Sequence, residues 1–162
     1  MVKIVEGNLL DVKAQVVVQL VNDDGDLKNN IPPEINNEYH HITREYVRFI
    51  NHCRKTNTDT LGLTLLIPID VWAVGLVDTL KNDHIEIYDK DYKYIACAFC
   101  RTREGKRYKI DYEALENSLR CICNKAQAVK ANVAIPYSES VVNVIKKVFE
   151  KSTTDVYLVK EE

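Results

Sequence analysis

The sequence predicts an α/β domain, a mainly parallel sheet sandwiched by helices. Two observations carry this. The second half of the chain alternates strand, helix, strand, helix, strand, the pattern of parallel strands joined by crossovers. Near the start, QVVVQLV (Gln15 to Val21) is apolar almost throughout, which suits a strand covered on both faces. A chain of 162 residues, 46% hydrophobic and 28% charged, suffices for one sizeable core and is short for two. Residues 1–162 are therefore expected to form a single domain.

In order, KIVEGN and QVVVQLV are β-branched runs bounded by Gly7, Asn8 and the cluster NDDGD, and read as a hairpin or two neighbouring strands. From Pro32 to about Lys55 the pattern turns helical: a proline suits the first turn, and Ile35, Tyr39, Ile42, Tyr46, Phe49, Ile50 and Cys53 recur at spacings of three and four. KTNTDT ends that helix. LTLLIPI, VWAVGLV, HIEIY and YKYIACAF read as strands, with LVDTLKN equally a short helix. RTREGKRYKI reads as a polar tip around Gly105. Asp111 is a good N-cap for a helix with the apolar stripe Leu115, Leu119, Ile122, Ala126 and Val129. NVAIP is the next strand, Val141 to Lys151 the next helix and DVYLV the last strand.

A net charge of -2 gives no field that would draw duplex DNA or an anionic membrane, so nucleic acid is unsupported as a partner. MVKIVEGNLL lacks an apolar segment of signal-peptide length, and no run approaches the roughly 20 apolar residues of a membrane span. A cytoplasmic protein with no membrane association is expected. Five cysteines, an odd number, fit free thiols better than a disulfide framework.

Cys97-Ala-Phe-Cys100 has the spacing of half a zinc or redox motif, and Cys121 with Cys123 could add two thiolates. On a strand, however, positions 97 and 100 face opposite sides, and on a helix 121 and 123 are about 200° apart. Buried small hydrophobes are the better reading, and neither metal nor cofactor is expected. His40, His41 and His52 read as surface histidines of the long helix, with no nucleophile placed beside them. Arg101, Arg103, Lys106 and Arg107 form a basic cluster near Tyr108, read as a solvated strand edge. Asn22-Asp23-Asp24-Gly25-Asp26 follows a buried strand, where open α/β sheets bind ligands. It lacks the full Ca²⁺-loop pattern, and is equally an Asx-rich turn or a ligand loop. IPYSES, Ile135 to Ser140, joins a strand to a helix without glycine, and backbone amides at such a junction can hold an anion.

GNLLD at 7–11, VVVQLVN at 16–22, DYEAL at 111–115, VAIP at 133–136 and VVNVIKKVF followed by DVYLV occur in the order seen in macro domains, the ADP-ribose-binding α/β modules. The chain resembles their compact branch, which includes ADP-ribosyl-glutamate hydrolases and antitoxin-like members. The resemblance implies a three-layer, mixed but mostly parallel sheet with helices on both faces. It also implies an ADP-ribose-like or NAD-derived ligand. Asn8, followed by Leu9, stands where the family has an aspartate that accepts from the adenine amino group. Gln19 replaces the first asparagine of the next motif, and Asn22, followed by Asp23, matches the asparagine facing the distal ribose. Lys28 and Asn30 fall in the first glycine-rich loop, whose glycines are gone. The second such loop, which wraps phosphate, is replaced by the short turn of Tyr137, Ser138, Glu139 and Ser140.

Three functions follow. A catalytically degenerate module would bind, and so sequester or sense, the nucleotide through Asn8, Leu9, Gln19, Asn22, Asp23, Lys28, Asn30, Tyr137, Ser138 and Ser140. An active ADP-ribosyl hydrolase would need Asp23, Asp24 or Glu139 as base, with Lys28 on the distal ribose. A scaffold of the kind a virus or mobile element encodes would instead bind a protein partner.

Overall fold

The computed structural model describes residues 1–23, 39–69 and 93–161. Within them lie seven strands: β1 (Val2–Glu6), β2 (Val16–Asn22), β3 (Thr64–Pro68), β4 (Tyr94–Glu104), β5 (Arg107–Ile110), β6 (Val133–Pro136) and β7 (Val156–Lys160). Three helices accompany them: α1 (His40–Lys55), α2 (Tyr112–Val129) and α3 (Glu139–Phe149), with a single 3-10 turn at Leu9–Asp11. The strands form one sheet in the order β1-β7-β6-β2-β4-β3, with β5 hydrogen-bonded to β4. All pairings are parallel except β3 and β5 on β4. The sheet is mostly parallel, as the alternating pattern predicts, and mixed, as the resemblance to macro domains implies.

Both faces of the sheet are covered, as the unbroken apolarity of β2 requires. Val16 and Val18 face α2 and α3, in a core with Leu115, Leu119, Ile145 and Phe149. Val17 and Val21 face α1 and the 3-10 turn, in a second core with Leu9, Ile42, Phe49 and Phe99. There Phe99 stacks on Tyr46 and Phe49, with ring centroids 5.9 and 5.4 Å away. Alternation also settles the cysteines. Cys97 lies in the α1-side core and Cys100 in the opposite one, and no metal-ligating cluster forms among the described residues.

Local chemistry explains most boundaries. The Asp111 carboxylate accepts from the Ala114 N–H at 3.0 Å and starts α2 as expected. α3 begins at Glu139, two residues before the expected Val141, because Ser138 is still extended (φ -152°, ψ 135°) and the chain turns helical directly after it. The expected start of the first helix at Pro32 lies outside the described residues, as do VWAVGLV and HIEIY; its end at Lys55 agrees.

Three expectations need correction. β1 and β2 are neither a hairpin nor neighbours: β1 pairs with β7, and β2 lies between β6 and β4. β-branched composition identifies strands, but their partners depend on contacts far along the chain. RTREGKRYKI is not merely a polar tip. Arg101 to Glu104 extend β4, Arg107 to Ile110 form β5, and only Gly105 and Lys106 make the turn, with Gly105 at φ 65° as a glycine-first hairpin turn requires. His41 is buried rather than on the surface, its Nε2–H donating to the Pro68 carbonyl at 2.9 Å.

Candidate functional site

Because β1, β7, β6, β2 and β4 run parallel, their C-terminal ends share one edge of the sheet. After β2 the chain goes on to β4 on one side, and after β6 it returns through α3 to β7 on the other. A reversal of strand order of this kind opens a crevice at the carboxyl ends of the flanking strands. The hydrogen-bond ladder between the two flanking strands is short. β2 and β6 pair only at Val16 with Val133 and Val17 with Ala134, although β2 continues to Asn22 and β6 to Pro136.

The eight described residues singled out from the sequence gather on this edge. At the tip of β1, Gly7 (φ 142°) turns the chain through a conformation that side chains rarely allow. Its N–H donates to the Lys160 carbonyl at 3.0 Å. The Asn8 side-chain oxygen then accepts from the Leu10 N–H at 3.0 Å, capping the 3-10 turn and leaving one lone pair of that oxygen for a further donor. Leu9 packs its side chain into the α1-side core.

Gln19 is 6% exposed and its Nε2 has no hydrogen-bond partner. At the end of β2, the register with β4 slips between Val21 and Asn22, a local irregularity of the sort that re-aims strand ends beside functional sites. Asn22 is fully enclosed, and its carbonyl accepts from the Tyr46 hydroxyl at 3.5 Å. Asp23 is held through its backbone: its N–H donates to Arg101 at 3.0 Å, and its carbonyl accepts from the Thr60 hydroxyl at 3.3 Å.

Across the crevice, the Tyr137 N–H donates to Val159 at 2.9 Å. The Ser138 hydroxyl occupies the N-cap position of α3 but bonds the Ser140 hydroxyl, 2.8 Å away, instead of a backbone N–H. Lys28, Asn30 and Asp24 lie outside the described residues.

Sequence reasoning missed Lys160. Its ammonium sits 4.4 Å from the centre of the Tyr137 ring, at the turn into α3, while its carbonyl accepts from the Gly7 N–H. A lysine ending the last strand is the only sequence signal, and it becomes meaningful once β7 is known to lie between β1 and β6. The Arg101, Arg103, Lys106 and Arg107 cluster belongs to the hairpin next to β2, where Arg103 packs over Tyr108 at 5.4 Å and Lys109 pairs with Glu104 at 3.4 Å. Glu139 lies on the first turn of α3, where a carboxylate complements the helix dipole. No helix among the described residues is long and apolar enough to cross a membrane.

Neither the sequence models of known families nor the sequences of characterised proteins match the chain. Solved structures do. A macrodomain protein from Streptomyces coelicolor superposes with a TM-score of 0.73 at 16% identity, covering 100% of this chain and 99% of that one. The macrodomain of Thermus aquaticus DarG gives a TM-score of 0.67 at 16% identity, with 100% and 99% covered. Thermosipho africanus DarTG, solved in complex with ADP-ribose, gives 0.61 at 16% identity over 99% of this chain and 42% of its own. With nearly every residue of this chain covered, the likeness extends to the whole architecture: the chain has the macrodomain fold.

Proposed function

We propose that the protein binds an ADP-ribose-like or NAD-derived nucleotide in the crevice between β2 and β6 and does not hydrolyse it. The observation that carries this reading is the early parting of β2 from β6 at the point where strand order reverses. The ADP-ribose held by the DarTG relative of the same fold supports the choice of ligand.

In this reading the remaining lone pair of the Asn8 oxygen accepts from the adenine amino group, without the charge assistance a carboxylate would give. Asn22 and Asp23 face the distal ribose, with Lys28 and Asn30 following them in sequence. The turn from β6 into α3 receives the diphosphate. Because the Ser138 hydroxyl is bonded to Ser140 rather than to the backbone, first-turn N–H groups of α3 remain for an anion. Lys160 adds the positive charge, and Tyr137, packed beneath it, supplies a flat face.

The same turn is the argument against hydrolysis. It runs from Pro136 to Glu139 without a loop in which a carboxylate could approach an attacking water, and Glu139 itself is placed by the helix. The role is then capture of the nucleotide for sequestration or sensing. Incubation with an ADP-ribosylated substrate, followed by chromatography of the products, tests it: bound and unreleased ADP-ribose is expected, and free ADP-ribose accumulating with time would make the protein a hydrolase instead.

A further inference from the structure

We infer that Gln19 is a specificity-determining residue, whose side-chain N–H groups donate to an acceptor on the part of the nucleotide that enters deepest between β2 and β6. This rests on the proposed nucleotide-binding reading. Side chains alternate along a strand, so Gln19 shares a face with Val17 and Val21, both in the α1-side core. Its pairing partner on β4 is Cys97, fully buried in that same core. On the other side it is level with Pro136, two residues past the last β2–β6 pair, where no further pair forms. Gln19 thus stands at the floor of the crevice. The 3-10 turn that carries Asn8 packs against β6 on the neighbouring strand.

A glutamine here is otherwise a poor choice. At 6% exposure its Nε2 has given up water and gained no partner, a burden on the free protein that an apolar side chain of the same length would not impose. Every other described position of β2 facing that core is valine. A bound acceptor, oxygen or ring nitrogen, would satisfy the donor and make ligand binding depend on it, while a ligand offering a donor at that place would be rejected.

The test combines thermal unfolding without ligand and titration calorimetry with ADP-ribose, on the wild type and on Gln19→Met, which keeps length and removes the donor. The variant is expected to unfold about 2–4 °C higher and to bind ADP-ribose about tenfold more weakly or worse. A residue that only supports the fold would not move these two readouts in opposite directions. Titration with adenosine, AMP and ribose 5-phosphate then locates the acceptor, since only fragments reaching the crevice floor should lose affinity. ADP-ribose affinity within twofold of wild type, or a variant that melts lower, overturns the role given to Gln19. Wild-type protein that takes up no ADP-ribose defeats the functional reading instead, and the unfolding comparison still decides whether Gln19 carries an uncompensated donor.

Discussion

Replacing Lys160 by glutamine removes the positive charge that sits over Tyr137 while keeping most of the side chain's length. The ammonium lies 4.4 Å from the ring centre on an exposed rim, so the lost cation–π contact is worth only about 0.5–1 kcal/mol of stability. The effect on ligand should be larger. A phosphate at about 4 Å from an ammonium gains about 1 kcal/mol in bulk water and about 4 kcal/mol at an effective dielectric near 20. An exposed rim belongs near the lower figure, which places the expected weakening of ADP-ribose binding at about five- to tenfold. Screening sharpens the test, because the Debye length falls from about 10 Å at 0.1 M salt to about 3 Å at 1 M. Calorimetry at both concentrations should find the wild type losing affinity with salt, and Lys160→Gln losing much less, so that the two converge at 1 M. Equal dissociation constants at 0.1 M, or parallel salt dependences, would show that no phosphate lies near Lys160.

Three further outcomes follow from the fold. Asp111→Ala deletes the carboxylate that caps α2 and should lower stability by about 1 kcal/mol in denaturant titration, with ligand affinity unchanged. Phe99→Ala empties the space between Tyr46 and Phe49 and should lower stability by about 3–5 kcal/mol; because Tyr46 also holds the Asn22 carbonyl, ligand affinity should fall with it. Burial pushes the Cys97 and Cys100 thiols up from 9.0 to about 12, so in the folded protein both should resist iodoacetamide at pH 8, as mass spectrometry can show. The same shift means that the folded state binds protons the unfolded state has released. Stability from these thiols is therefore intact below pH 9 and is lost as pH climbs toward 12.

What the sequence revealed and what it hid follow a physical division. Local signals were readable. The Asp111 cap, the α2 stripe of Leu115, Leu119, Ile122 and Ala126, and the fully covered strand Val16 to Val21 all depend on neighbours within a turn or on side-chain period. Long-range pairing was not readable from such signals. Nothing local in VKIVE states that it lies beside VYLVK, more than 150 positions later, and closeness in sequence alone suggests β2 as its neighbour.

The site divides the same way. Asn8, Asn22 and Tyr137 stand out as strand-end residues, but the meaning of Lys160 and of the lone donor on Gln19 exists only once β7, β6 and β2 are side by side. The burial of His41 is hidden for the same reason: amphipathic spacing near a helix start does not say that a strand-end carbonyl, that of Pro68, will reach it.

The central claim is that the crevice between β2 and β6 takes up an ADP-ribose-like nucleotide. Titration of the wild-type chain with ADP-ribose tests it most directly. The expected result is saturable binding at one site per chain. The contradicting result is no heat of binding up to about 1 mM ligand, weaker than any contact set of this kind should allow.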